Sequence, residues 1–151
     1  MNQRPYPFTR FADQYTFISV GKRSITKMVE FSTGMHNGIF NLGFGDLQPD
    51  GTIDDMANSN NGDIIKVLST VVEIIIDFTD TNSKSRIFFT GSTLSRISLY
   101  SRIIKMYYPE FKKHFVIKGI VENNGKFSEI DFDADILNGY VGFIVDKINY
   151  I

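Results

Sequence analysis

Residues 14–20, Gln-Tyr-Thr-Phe-Ile-Ser-Val, alternate large apolar side chains with small polar ones, which predicts a strand. Gly21-Lys22-Arg23-Ser24 reads as a turn, and Ile25, Val29 and Phe31 carry a second strand. A turn over 34–38 leads into a third, glycine-punctuated strand over 39–45, with Phe40, Leu42 and Phe44 on one face. Short turns between three strands predict an antiparallel meander. The period then changes. From 63 to 78 the polar residues Asp63, Lys66, Thr70, Glu73 and Asp77 recur at spacings of three and four, one narrow stripe on an otherwise apolar helix. Such a helix packs on a sheet and is flanked by neighbours. Asn60 or Asn61 is placed to cap it, and Asp63 in its first turn suits the helix dipole.

A polar connection over 80–85 precedes Arg86-Ile87-Phe88-Phe89-Thr90, an apolar run expected for a buried strand. Gly91-Ser92-Thr93 is a tight turn with a capping hydroxyl, opening a second helix from about 94 to 108 that Pro109 terminates. Residues 115–121 and 127–132 form a hairpin, with Asn124-Gly125 its strongest local signal. A last strand is expected over 140–145. The predicted order is β-β-β-α-β-α-β-β with a closing strand. This describes a single α/β domain of α+β type over residues 1–151, with a mixed, largely antiparallel sheet and two main helices. The strand–helix–strand unit around the first helix is expected to cross over right-handedly. Residues 1–13 are expected to be a loosely ordered arm, and 46–62, rich in Asp, Asn and Gly, a long polar loop.

Composition narrows the function classes. The chain of 151 residues is 42% hydrophobic and 22% charged, as a folded domain is, and its formal charge of -1 supplies no field toward nucleic acid or an anionic membrane. Without cysteine there is no disulfide, thiolate metal site or cysteine nucleophile, and with two histidines no multi-histidine metal cage, so no metal is predicted. No run is long and uncharged enough to span a membrane, and the expected location is the cytoplasm. Asp54-Asp55 with Asp46 and Asp50 lacks calcium-loop spacing and reads as a solvated acidic stretch. His36 and His114 read as surface residues. Arg102, Lys105, Lys112 and Lys113 around Tyr107 and Tyr108 read as a solvated helix end.

The second helix holds one anomaly. Leu94, Ile97, Tyr100, Ile104 and Tyr108 form a core stripe, and Leu99, Ile103 and Met106 a second apolar arc. Arg96 lies between the two arcs, away from the other polar residues. An arginine there must snorkel, pair with a carboxylate or bind an anion. Asp46, Asp63 and a bound anion are its candidate partners.

Ser59-Asn60-Asn61-Gly62-Asp63, Lys66-Val67-Leu68-Ser69-Thr70-Val71, Phe89-Thr90-Gly91-Ser92-Thr93-Leu94-Ser95-Arg96, Leu99-Tyr100 and Arg102 together resemble a bacterial family of small proteins defined only as a domain of unknown function. Gly45-Asp46-Leu47 before the long loop belongs to the same resemblance. More distantly, the element order is similar to the later part of the GCN5-related N-acetyltransferase fold. That likeness implies a coenzyme A pyrophosphate cradled at the first helix, where Gly62 stands, and a general-acid Tyr100 in the second. Ser59, Asp63 and Ile64 depart from the cradle's sequence, and the first two strands are too closely joined to admit the helices that shape the acceptor site.

The expected function is therefore binding, by an acetyltransferase-like fold without acetyltransferase activity or cofactor. The expected site is formed by Asn60, Asn61, Gly62, Gly91, Ser92, Thr93 and Arg96, where two loops that follow strands and open helices converge. Its expected ligand is a small anionic molecule or an acidic protein segment, with a homodimer left open. Two alternatives stand beside it. One is an acyl-CoA-dependent N-acyltransferase with Tyr100 as proton donor; the other is an interaction module of a mobile-element or defence system touching protein or nucleic acid.

Overall fold

The computed structural model describes residues 4–34, 38–54, 61–82, 84–91, 93–133, 135 and 139–148. Five strands come first: β1 (Thr9–Phe11), β2 (Gln14–Val20), β3 (Ser24–Thr33), β4 (Ile39–Leu47) and β5 (Ile53–Asp54). They are followed by α1 (Ile64–Thr81), β6 (Arg86–Phe89), α2 (Leu94–Phe111), β7 (Phe115–Asn123), β8 (Lys126–Asp131) and β9 (Tyr140–Lys147). All nine strands join one sheet in the order β1-β2-β3-β4-β6-β9-β7-β8, with β5 attached to β4. Every pairing is antiparallel except β4 with β6. That parallel neighbour pair is the one the expected strand–helix–strand unit requires.

The meander obeys its period. Tyr15, Phe17 and Ser19 of β2 are buried while Ile18 and Val20, of the opposite parity, are exposed. In the hairpin of β7 and β8, Asn124 and Gly125 take φ of +53° and +78°, both positive as a type I′ turn demands. Phe31 of β3 stacks on Phe78 of α1 with ring centroids 3.9 Å apart, and Phe40 of β4 meets the same ring edge-on at 5.1 Å. Phe89 of β6 meets Tyr100 of α2 edge-on at 6.0 Å. The strand registers put Phe31, Phe40 and Phe89 on one side of the sheet. Both helices therefore cover the same face, and the core lies between them and the sheet.

Five expectations change. The presumed loose arm is part of the fold over its described residues: β1 pairs with β2, and Tyr6 is buried, its N–H donating to Thr70 Oγ1 at 2.8 Å. Arg10 adds an ion pair to Asp77 of α1 at 3.0 Å, and Tyr15 donates to the same carboxylate at 2.7 Å. Residues 46–62 are not loop throughout, because β4 continues to Leu47 and β5 pairs back on it through Asp46 with Asp54 and Leu47 with Ile53. Asp63, not Asn60 or Asn61, is the residue at the N-cap of α1. α2 does leave helical geometry near the proline, at Tyr107, but a further turn follows to Phe111 with Pro109 inside it. Proline fits there because a first helical turn has no intrahelical use for its missing N–H. Leu94, expected in the core stripe, is 80% exposed as the first residue of the helix.

Phe78 is the place where α1, β3 and β4 are tied together. Phe78→Ala is expected to cost about 3–5 kcal/mol, from lost transfer energy and the cavity left behind. Urea unfolding at neutral pH measures it, and a change below about 1 kcal/mol would mean that α1 does not depend on this ring.

Candidate functional site

β4 and β6 pair only through Ile39 with Arg86, Phe40 with Ile87 and Asn41 with Phe88. Beyond that β6 keeps its partner β9 as far as Phe89 opposite Phe143, and β4 keeps β3 as far as Asp46 opposite Lys27. The two parallel strands part. α1 follows β4 after the short β5, α2 follows β6 directly, and both run along the same face, leaving a cavity of about 580 Å³ between the helices and the sheet. One face of α1 lines it through Ile64, Leu68, Val71 and Ile75; Tyr100, Ile103 and Ile104 face it from α2, and Leu42 and Phe44 from β4.

Its polar residues gather at the end where the strands part. Lys27, only 6% exposed, points inward from β3 and pairs with Asp46 directly across on β4, Nζ to Oδ1 at 2.5 Å. Its ammonium also lies 5.9 Å from the centroid of the Phe44 ring. Asp63 at the start of α1 gives its own helix no side-chain cap. Instead its Oδ2 accepts from Tyr6 OH and from Ser19 Oγ, each at 2.6 Å. Burial works to raise the Asp63 carboxyl, but the bonds from Ser19 and Tyr6 and the charge of Lys27 outweigh it and hold the group below the ordinary carboxylate range. Burial and the bond to Asp63 both push the Tyr6 hydroxyl upward.

The expected site residues divide. Gly62 lines the cavity at φ +85°, a backbone that favours glycine. Asn61 also borders it, but its side chain is a clamp on the β2–β3 turn: Nδ2 donates to Arg23 O at 2.7 Å and Ser19 Oγ at 2.9 Å, and Oδ1 accepts from Arg23 N–H at 2.8 Å. This engagement is why Asn61 does not cap α1. Gly91 stands where a Cβ would meet Arg96 Cβ at 2.7 Å, so its value is the close approach of the turn to α2. Thr93 caps α2, Oγ1 accepting from Arg96 N–H at 3.2 Å. Arg96 is half-buried and lines the cavity, and so does Tyr100. Asp46 and Asp63, the expected partners of Arg96, are held by Lys27 and by Tyr6 with Ser19 instead. Asn60 and Ser92 lie outside the described residues.

Sequence reasoning passed over Lys27. The signal was present: Lys27 shares its parity with Ile25, Val29 and Phe31, so a lysine was pointing into the core side of a strand. The apolar lining from α1 was legible as a surplus, because the helix is apolar around more of its circumference than one sheet contact needs. Among the described residues, no helix is long and apolar enough to cross a membrane, and no three His, Cys, Asp or Glu come together as a metal site.

The chain belongs to the family described as a family of unknown function (DUF6934), which it matches over residues 2–148. No curated protein and no solved structure gives a match.

The Asp63 cluster makes stability depend on pH in a stated sense. A carboxyl lowered in the folded state contributes stability that is present above its unfolded value of about 3.9 and is lost as pH falls through the folded one. A tyrosine raised in the folded state contributes stability present below about 10 and lost as pH rises beyond it. Tyr6→Phe removes a hydrogen bond to a charged group and is expected to cost about 1.5–3 kcal/mol at neutral pH. It also moves the acid limb of the stability profile upward, because Asp63 loses one of its two hydroxyl donors. Urea unfolding of both proteins between acid and neutral pH tests this; parallel profiles would remove the coupling.

Proposed function

We propose that this member of the family is a ligand-binding protein without acetyltransferase activity, its cavity taking a small molecule with an apolar body and an anionic end. The observation that carries this reading is the cavity itself. At about 580 Å³ it has the size of a small-molecule site, and its walls are apolar with a few convergent polar groups, as such sites are. Lys27 and Arg96 stand at the polar end, and the positive ends of both helix dipoles fall there too. A diphosphate would meet Asp63 at the start of α1, kept ionised by its two hydroxyl donors. That charge argues against coenzyme A and for a smaller, singly charged group.

One observation favours the acyl-CoA-dependent N-acyltransferase as a second reading. Tyr100 lines the cavity where the parallel strands part, which is where a proton donor of an acetyltransferase-like site would be needed.

Titration with anilinonaphthalene sulfonate, an apolar fluorophore carrying one negative charge, tests the first reading and, with acetyl-CoA as competitor, the second. Saturable one-site binding is expected while the near-ultraviolet circular dichroism stays native. Val71→Phe, which fills the middle of the cavity, is expected to weaken it by about tenfold or more (about 1.4 kcal/mol) without lowering thermal stability. No saturable binding, or binding indifferent to Val71→Phe, would reject the cavity as a site. Displacement by acetyl-CoA at micromolar concentration would select the acyltransferase.

A further inference from the structure

We infer that the ligand is a single unbranched amphiphile, a straight alkyl or acyl chain ending in a carboxylate, lying along the two helices with the carboxylate at their N-terminal ends. This deepens the reading above and rests on it. Three features of the cavity carry it.

The first is segregation of polarity. Lys27, Asp46, Asn61, Asp63, Thr90 and Arg96 all belong to the end where β4 and β6 part and the helices begin, and Tyr100 follows one turn beyond Arg96 on α2. At the far end the walls are Ile75, Phe111, Phe115, Ile117 and Val145, all buried and all without a polar side-chain atom. Buried polar surface requires hydrogen-bond partners and buried apolar surface none, so an occupant must be polar at one end only. The second is length. The lining face of α1 runs from Ile64 to Ile75, a rise of about 16 Å. One leaflet of a bilayer's hydrocarbon, about 15 Å, is the reach of one acyl chain.

The third is charge. At the polar end Lys27 is balanced by Asp46, and the charges of Asp63 and Arg96 are opposite in sign, so the described charged side chains that line the cavity sum to nothing. The two helix N-termini add partial positive charge, enough to favour one carboxylate and too little for a diphosphate. A carboxylate also offers two acceptor oxygens and no donor, which suits an end with backbone N–H groups of two first turns nearby.

The test is a displacement series against anilinonaphthalene sulfonate with saturated carboxylates from hexanoate to octadecanoate, the alcohols of matching length, and palmitoyl-CoA. The expected result is an affinity rising about fourfold per methylene and levelling off once the chain spans about 16 Å. Each alcohol is expected to bind about tenfold or more weaker than its carboxylate, through loss of the charge-assisted bonds. Ile75→Phe should bring the levelling-off to shorter chains and leave hexanoate unchanged; the wild-type series decides the question even if that variant is unstable. Fluorophore binding that no carboxylate displaces, an affinity flat in chain length, or alcohols equal to carboxylates would each overturn the inference while the cavity stands as a site. Tighter displacement by palmitoyl-CoA than by palmitate would overturn it in favour of the thioester. Failure of the fluorophore and the carboxylates together would remove the binding reading itself.

Discussion

β4 and β6 stay paired over three residue positions and then diverge, and the rest of the molecule is arranged around that divergence. Parallel strands must be joined by a crossover, so the chain leaves the end of β4, forms α1 on one face of the sheet and returns into β6. α2 leaves the end of β6 in the same way and settles on the same face. Two helices side by side on a sheet whose middle strands have parted cannot also close against each other along their length. The space between them is the cavity. Its mouth lies at the helix N-termini because the crossovers put both helix starts at the end where the strands separate.

The groups at that mouth are held from elsewhere in the fold. Tyr6 reaches Asp63 from a segment that also runs along α1, bonding Thr70 and, through Arg10, Asp77. Ser19 reaches it from β2, and Asn61 clamps the approach to α1 onto the β2–β3 turn. The start of α1 is thus fixed by side chains of the meander rather than by a cap of its own. Lys27 is fixed likewise, between Asp46 and the face of Phe44. An ion pair this shielded contributes little net stability once desolvation is counted, but removing either member would leave a buried charge alone. The polar end is consequently pre-formed, which lowers the ordering cost of any ligand that fits it.

The chemistry at one helix start bears most directly on which ligands the cavity can take. Asp63 is the residue that sets it. Its two hydroxyl donors keep a negative charge at the start of α1, which disfavours a highly charged anion there, whereas the apolar walls and Tyr100 leave the rest of the space uncharged. The electrostatics of one residue therefore separates the two functional readings more sharply than the architecture does.

Local periodicity by itself determined the main elements, though not β1 or β5, which tertiary pairing formed out of an expected arm and an expected loop. The alternation over 14–20, the three-and-four spacing from Asp63 to Asp77 and the Asn124-Gly125 turn each express a backbone geometry within a few neighbouring residues, and the strands and helices formed where those patterns lie. The surplus of apolar positions on α1 likewise announced more than one apolar neighbour. Tertiary structure alone decided what the polar residues do. Asn61 reads from sequence as a cap or ligand group and is spent on a turn 38 residues away; Tyr6 reads as part of an arm and bonds a residue 64 positions on. Arg96 was visible as an anomaly, but its expected acids were already engaged by Lys27 on another strand and by hydroxyls from Tyr6 and Ser19. The reason is physical: apolar burial follows a repeating pattern that sequence carries locally, whereas a hydrogen bond or ion pair depends on two particular atoms meeting within about 3 Å, which only the folded chain arranges.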